Sequence, residues 1–331
     1  MTLAVNPDAG VVLAADLGAT HCQLAVSDLS GQTLSESGHD IDINDGPERI
    51  LGLADGGFRR LLDQAGRPLG QVRAIGLGVP GPVEFSTGTV VHPPIMRGWD
   101  GYRVPGFFTH YPAVPVLVDN DVNIMALGEY WSLHRNIDPL LFIKIGTGIG
   151  CGIVTGDRVH RGADGAAGDI GHIRVPDHET VVCQCGNTGC VEAVAGGAAL
   201  ARALRQQGLE ATSARDVVRL ALAGEMHARR AVRVASERIG EVAASLVSFY
   251  NPACIVVGGA FAQLSEDLLA DLRGVVYRRA LPLATRSLRI EVSHLGARAG
   301  VVGATVLALQ EALSPRNLAG LLQARARTRQ V

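Results

Sequence analysis

Two stretches of the chain, VLAADLGATHCQLAVSD (12–28) and FIKIGTGIGCGIVTGD (142–157), share one pattern of residues. Each begins with an apolar run typical of a strand, passes through a turn of small residues that contains Gly18 or Gly146, and returns as a second strand. Because this glycine-containing hairpin occurs once in each half, the sequence predicts two similar α/β lobes facing a cleft. Backbone N–H groups in such turns are suited to bind phosphate oxygens.

A third stretch places polar residues where a strand ends. VPVLVDNDVNIMALGEYW (114–131) predicts a buried strand that ends at Asp119, Asn120 and Asp121, followed by a helix that begins near Val122. Ligands bind beyond the carboxyl ends of strands in open α/β sheets, so these side chains are candidates for chemistry. The alternative is that Asp119 or Asn120 merely caps the helix.

The segment CQCGNTGC (183–190) holds three cysteines and two glycines in eight residues. Three thiols this close cannot all pair as disulfides, and the glycines let the backbone curl back on itself, which favours a metal, with zinc as the first guess. The other three cysteines, Cys22, Cys151 and Cys254, lie in apolar runs and are interpreted as reduced thiols.

Composition narrows the class of protein. A chain of 331 residues with 47% hydrophobic content predicts about two globular domains. No apolar run near the N-terminus approaches the roughly 20 residues of a membrane span, so a cytoplasmic protein without membrane contact is expected. A net charge of −2 offers no broad electrostatic footprint for nucleic acid.

Two segments carry local predictions. The segment FFTHYP (107–112) is expected to be exposed, and the basic tail LQARARTRQV (322–331) is expected to be a frayed helix end.

Seven motifs occur in the order found in the ROK family of repressors and sugar kinases, which the chain resembles over nearly its whole length. They are DLGATH, GVPGPV, DNDVNIMALGE, GTGIGCG, GAAGDIGHI, the cysteine segment and VVGGA. The resemblance implies an α/β, two-lobed actin-like ATPase fold, that of sugar kinases and Hsp70, with a zinc-binding loop. It places the N-terminal lobe at 1–119 plus about 298–331, and the C-terminal lobe at 120–297 with the zinc loop at 172–190.

The resemblance also implies roles for individual residues. Asp121 would be the catalytic general base, and sugar hydroxyls would be bound by Asn120, Asp169, His172 and Glu192. Asp16 would help to place Mg²⁺, and ATP would be held by Gly18, Thr20, Gly146, Thr147 and Gly148 at its phosphates and by Gly258 and Gly259 at adenosine. A structural Zn²⁺ would be bound by His172, Cys183, Cys185 and Cys190, and this closed site would fix His172 and Glu192 at the sugar pocket.

Four residues, in three motifs, depart from the pattern of the family's kinases. The first phosphate motif has Ala19 and His21 where a second glycine and a lysine are usual. Ile95 occupies the place of an asparagine that contacts the sugar, and Asp169 replaces a glutamate with a side chain shorter by one C–C bond. A misplacement of about 1 Å can cost on the order of 100-fold in rate.

Several motifs, among them DLGATH and AAGDIGH, look more like the repressor branch of the family. Only about ten residues precede the first strand, which is too few for a helix-turn-helix, so direct DNA binding by this chain is not expected. The resemblance favours an ATP- and magnesium-dependent kinase for a hexose or an N-acetylated amino sugar, assembled as a homodimer or homotetramer. The alternative is a sugar-sensing regulator without catalytic activity.

Overall fold

The computed structural model describes residues 5–318, and the basic tail at 322–331 lies outside them. Two compact units make up the described chain: residues up to Gly128 together with those from Gly300 onward, and Glu129–Ala299. The first division falls after Gly128 rather than after residue 119 because the helix that begins at Asp121 packs within the first unit. Gly303, in the last helix of this unit, packs so closely against it that a Cβ on this glycine would lie 1.6 Å from the carbonyl oxygen of Ile124.

A five-stranded sheet forms the centre of the first unit. Its strands lie in the order β3-β2-β1-β4-β7, with a separate two-stranded pair of β5 and β6. Strand β2 is antiparallel to both of its neighbours, whereas β1, β4 and β7 run parallel. The strands are β1 (Val11–Leu17), β2 (His21–Asp28), β3 (Thr33–Asp40), β4 (Val72–Val79), β5 (Val83–Glu84), β6 (Thr89–Val90) and β7 (Val116–Asn120).

Strand β1 is buried along its whole length, as the continuous run VVLAADL predicts for a strand covered on both faces. The helices of this unit are α1 (Pro47–Gln64), most of α2 (Asp121–Glu129) and most of α9 (Ala299–Ala312). The expectation that FFTHYP is exposed is wrong at two positions. Phe108 and Tyr111 are buried in the core of the unit, because aromatic rings of this segment pack against Phe58 and one another.

The second unit repeats the arrangement of the first. Its sheet has the order β10-β9-β8-β11-β12, in which β9 is antiparallel to β8, and β8, β11 and β12 run parallel. The strands are β8 (Leu140–Ile145), β9 (Ile149–Thr155), β10 (Arg158–Val159), β11 (Cys254–Gly258) and β12 (Arg289–Val292). The two hairpins that the sequence predicts are therefore β1–β2 and β8–β9, one in each unit.

Six helices of the second unit lie between β10 and β12 along the chain, four before β11 and two after it. The longest, α6, ends where Asn251 adopts a left-handed conformation, and it packs against α7. The helices are α3 (Val191–Ala195), α4 (Gly197–Gln206), α5 (Ala214–Leu222), α6 (Met226–Tyr250), α7 (Ser265–Arg279) and α8 (Pro282–Thr285). Within residues 5–318, no helix combines the length and the apolar character that a membrane crossing requires.

Candidate functional site

Three parallel strands of the first unit end at one edge of the sheet, and each brings part of the candidate site there. In the register of the sheet Asp16 pairs with Gly78, and Gly78 pairs with Asp119. Both carboxylates are buried, with 4% and 3% of their surface exposed. The carboxyl edge of β1, β4 and β7 is thus acidic and lined by a glycine between the two acids, which is suited to a cation or a hydroxyl-bearing ligand.

Asn120 and Asp119 stabilise the chain reversal between β7 and α2. The side-chain oxygen of Asn120 accepts a hydrogen bond from the backbone N–H of Val122 at 2.9 Å, and its amide donates to the carbonyl of Gly81 at 2.9 Å. Asp119 accepts from the backbone N–H of Asn120 at 2.8 Å. The capping alternative is therefore realised in the structure. An amide group has two donors and two lone pairs, so capping and sugar binding by Asn120 are compatible.

Asp121 is the first residue of α2 and is buried, with 5% of its surface exposed. A carboxylate at a helix N-terminus is stabilised by the partial positive charge of the helix dipole. The Cα of Asp121 lies at the acidic edge, 3.5 Å from where a Cβ on Gly78 would be, and one residue beyond the last position of β7. This is a position from which a carboxylate can accept a proton from a bound hydroxyl.

The β1–β2 turn carries His21 at the place where the family's kinases have lysine. The backbone N–H of Gly18 donates to the carbonyl of His21 at 2.8 Å, and Nε2 of His21 lies 3.5 Å from a carboxylate oxygen of Asp16. Burial, with the charge of Asp16 as a second cause, raises the pKa of Cys22 to about 12. Its thiol is therefore neutral. The bond from Gly18 to His21 closes the turn beside the buried carboxylate of Asp16.

The β8–β9 turn is held by two helices of its own unit. The backbone N–H groups of Gly197 and Ala198, at the start of α4, donate to the carbonyls of Gly146 and Thr147 at 2.9 and 3.0 Å. Oε2 of Glu192, in α3, accepts from the backbone N–H of Ile149 at 2.8 Å. These bonds fix the backbone of residues 146–148, so the turn is a rigid candidate for phosphate binding.

Gly258 and Gly259, which sequence reasoning assigns to adenosine, each have a packing reason in the structure. A Cβ on residue 258 would lie 2.1 Å from the ring of Phe142. Gly259 has a φ of +83°, a conformation that favours glycine, and a Cβ there would lie 2.5 Å from the carbonyl oxygen of Ile145. The turn after β11 can therefore be made only with small residues, and its role toward a nucleotide remains a prediction.

The cysteine segment curls as its glycines predict. Gly186 and Gly189 have φ values of +90° and +73°, and the backbone N–H of Cys183 donates to the carbonyl of Asn187 at 2.7 Å. The turn brings together one ring nitrogen and three sulfurs, all within 4.8 Å of one another. The four residues are His172, Cys183, Cys185 and Cys190, the set that sequence reasoning selects.

The separations of these ligand atoms fit a tetrahedral zinc ion. Sγ of Cys185 lies 3.8 Å from Sγ of Cys190, and Sγ of Cys183 lies 3.5 Å from Nδ1 of His172. Zinc bond lengths of about 2.3 Å to sulfur and 2.0 Å to nitrogen place such ligand pairs about 3.8 and 3.5 Å apart in a tetrahedron. The four residues could therefore hold a zinc ion with little rearrangement.

Of the predicted sugar-binding residues, His172 belongs to this cluster and Asp169 lies beside it. Asp169 precedes the short helix Ile170–His172, and its carboxylate lies 3.8 Å from Nε2 of His172. Because Nδ1 of the same ring faces Cys183, the imidazole stands between the cluster and Asp169. Within the second unit the structure thus brings His172 next to Asp169, while Glu192 is turned to Ile149.

Comparison with known proteins identifies the family. The family model described as "ROK family" matches residues 12–311. The chain belongs to the ROK family. It is 30% identical to a xylose repressor of Caldicellulosiruptor bescii, over 94% of this chain and 81% of that protein, and 31% identical to a glucokinase of Halalkalibacterium halodurans, over 89% and 94%.

A solved ROK glucokinase from Streptomyces griseus, in complex with glucose and AMPPNP, superimposes with a TM-score of 0.76 and 28% identity, covering 91% of this chain and all of that one. The expected actin-like ATPase fold is thereby confirmed. The zinc loop and the assignment of individual site residues are not decided by this likeness and remain predictions.

Two of the residues that differ from the kinase pattern of the ROK family, Ala19 and Ile95, have a packing role in the structure. Ala19 and Ile95 are half-buried side chains that pack against the apolar core of the first unit. Ile95 gives up the polar contact of an asparagine in exchange for packing, whereas Ala19 only adds a methyl group to the turn. The two positions therefore add apolar surface to the first unit where the family's kinases use a glycine and an asparagine.

Sequence reasoning missed two buried polar residues, one beside the acidic edge of the first unit and one within the second unit. Asn123 donates from its side chain to Asp119 at 2.8 Å, and the spacing of four residues within a helix could have indicated this pair. Glu129 is fully buried and accepts hydrogen bonds from Ser293 at 2.9 Å and from the backbone of His294 at 2.6 Å. No local pattern could indicate that contact, since the partners are more than 160 residues apart.

Proposed function

We propose that this ROK protein is an ATP- and magnesium-dependent kinase that phosphorylates a hexose or an N-acetylated amino sugar. The observation that carries the proposal is the acidic carboxyl edge of β1, β4 and β7, where Asp16 and Asp119 flank Gly78 and Asp121 begins α2. The likeness to a glucokinase at 31% identity supports it. Phosphoryl transfer to a hydroxyl needs a carboxylate to accept the proton and acidic groups to place the cation, and this edge offers both.

Each residue has a defined task in the proposed reaction. Asp121 accepts the proton of the attacking sugar hydroxyl, and Asn120 binds a neighbouring hydroxyl while it caps α2. Asp16 positions the cation, and the backbone of the two glycine turns orients the phosphates. ATP would supply the transferable phosphoryl group, and Mg²⁺ would neutralise part of the charge on its phosphates. Asp169, His172 and Glu192 are assigned to the sugar hydroxyls, and the zinc set keeps His172 in place.

A coupled assay of ATP consumption tests this function. Purified protein is given ATP, Mg²⁺ and one member of a panel of hexoses and N-acetylated amino sugars, with xylose as a pentose control. Sugar-dependent ADP release with at least one hexose or amino sugar is expected. Binding of a sugar by calorimetry without ADP release on any member of the panel would reject the kinase.

A regulator that senses sugar without catalysis is the second candidate. The likeness to a xylose repressor at 30% identity and the apolar residues Ala19 and Ile95 favour it. A regulator keeps the sugar-binding side chains and loses productive nucleotide binding. Xylose binding with a dissociation constant below that of every hexose, together with no ATP turnover, is the outcome that supports this candidate.

We also propose that the chain assembles as a homodimer or homotetramer. Three large apolar side chains at the end of α6 and around α8 are exposed, namely Phe249 at 89%, Leu281 at 76% and Leu283 at 73%. Helices α6 and α8 contact each other, and exposed apolar groups that lie close together are typical of contact surfaces. Sedimentation at micromolar concentration should give a species of twice or four times the chain mass of 34.6 kDa, and a monomer would refute the proposal.

A further inference from the structure

A second cluster of potential metal ligands lies in the second unit, apart from the zinc set. It consists of His134, Cys254 and Glu291, whose ligand atoms all lie within 4.8 Å of one another. His134 ends the π-helical turn that follows α2, Cys254 begins β11 and Glu291 lies on β12. Strands β11 and β12 are parallel neighbours, so the sheet itself fixes the thiol and the carboxylate relative to each other.

The orientation of His134 is set by the backbone. Its Nδ1 lies 3.1 Å from the carbonyl oxygen of Glu129, and a carbonyl can only accept a hydrogen bond. Nδ1 therefore carries a proton, and the lone pair of a neutral ring is on Nε2, which lies 2.5 Å from Oε1 of Glu291. A backbone carbonyl that holds the distal nitrogen is the usual support of a metal-binding histidine.

Burial is uneven across the cluster. His134 and Cys254 are almost wholly buried, at 3% and 0% exposed, whereas the side chain of Glu291 is 28% exposed. An ordinary ion pair explains the contact of His134 with Glu291, but it does not require a thiol. Sγ of Cys254 nevertheless lies 3.6 Å from the same carboxylate oxygen that faces His134. Three different donor types thus converge on one point that has access to water along Glu291.

The separations are close to those of a tetrahedral zinc ion. Bond lengths of about 2.3 Å to sulfur and 2.0 Å to oxygen place the thiolate and carboxylate atoms about 3.5 Å apart, and 3.6 Å is observed. The nitrogen and oxygen would lie about 3.3 Å apart around the ion, so the contact of 2.5 Å has to open by less than about 1 Å. The partly exposed Glu291 side chain can make that movement without displacing the buried ring or the thiol.

We propose that His134, Cys254 and Glu291 form a second binding site for a divalent metal of the zinc class, distinct from the cysteine segment. Thiolate, imidazole and carboxylate together select zinc or cobalt over magnesium and calcium. Three protein ligands leave one position for water or another small ligand at the exposed side of Glu291. When the metal binds, the proton between His134 and Glu291 and the thiol proton of Cys254 leave to solvent.

Metal stoichiometry of the full chain tests the proposal. Wild-type protein, Cys254→Ser and the control Cys151→Ser are equilibrated with zinc, desalted and analysed for metal and protein content. Cys151 is a buried thiol on β9, so its replacement controls for the loss of a buried sulfur. Cys254→Ser should bind one zinc fewer per chain than wild type, and Cys151→Ser should bind as many as wild type. Because the test compares zinc per chain between each variant and wild type, zinc bound at the cysteine segment contributes equally to both and does not affect the conclusion.

A milder variant covers the case in which Cys254→Ser does not fold. Glu291→Gln changes a partly exposed side chain and removes one ligand charge. Titration with cobalt should show tight binding of one equivalent fewer than wild type, with at least a tenfold weaker affinity at this site and loss of part of the thiolate-to-cobalt absorption. Equal stoichiometry and equal absorption in wild type and Glu291→Gln would overturn the proposal, as would a folded Cys254→Ser that keeps every zinc ion.

Discussion

Oε2 of Glu192 accepts a hydrogen bond of 2.8 Å from the backbone N–H of Ile149. Glu192 is the second residue of α3, two positions after Cys190 of the zinc set, and Ile149 is the first residue of β9 after the glycine turn. A single carboxylate therefore connects the cysteine segment with the β8–β9 turn. Any change that displaces the cysteine segment is expected to reach the turn through this bond.

Glu192→Ala is expected to weaken the binding of ATP as well as the binding of the sugar. Removing the acceptor leaves the N–H of Ile149 without its partner, which costs about 1–3 kcal/mol and loosens residues 146–148. The KM for ATP and the KM for the sugar should both rise. Glu192→Gln keeps an oxygen at the same place, so it should restore the KM for ATP. If Glu192→Ala raises only the KM for the sugar, the connection to the turn is without effect.

Gly300→Ala is expected to disturb Asp16. A Cβ on residue 300 would lie 2.0 Å from a carboxylate oxygen of Asp16, so the methyl group forces the carboxylate to move. A displacement of about 1 Å at a cation-binding group should lower turnover on the order of 100-fold. Gly52→Ala is the matched control, since a Cβ on that helical glycine meets no atom within 4 Å. Equal turnover in the two variants would contradict the role of Asp16.

Loss of the zinc set should release one metal ion and destabilise the second unit. Cys185→Ser removes one of four ligands, and the remaining three residues cannot close the site. We expect the free energy of unfolding to fall by roughly 3 kcal/mol or more, since the loss of a bound metal is among the changes that destabilise a protein most. Elemental analysis and thermal unfolding measure the two quantities. Full metal occupancy together with an unchanged melting temperature would reject the site.

The predictions that succeeded from sequence rest on local patterns. The strand runs of 12–28 and 142–157 form the expected hairpins because period and turn chemistry are encoded within a few residues. Gly186 and Gly189 turn the cysteine segment as expected for the same reason. The cysteines of that segment and the histidine that the family resemblance adds to them are likewise brought together by the structure.

Contacts between distant segments escaped sequence reasoning. His134 and Glu291 are 157 positions apart, and only the tertiary fold brings the turn after α2 next to β12. The sequence could not decide whether Asn120 caps α2, because asparagine is suited both to a helix cap and to a sugar-binding site. The exposure expected for FFTHYP was wrong since the partners of its rings, such as Phe58, lie elsewhere in the chain.

Turnover and sugar affinity of Asp121→Asn test the central claim most directly, with Asp63→Asn, an exposed aspartate at the end of α1, as the matched control. The substitution keeps the shape and hydrogen-bonding groups of the side chain but removes the base. If the chain is a sugar kinase, sugar-dependent ATP turnover falls on the order of 100- to 10,000-fold while the sugar dissociation constant changes less than about tenfold. Turnover within a few-fold of wild type in Asp121→Asn would contradict the account.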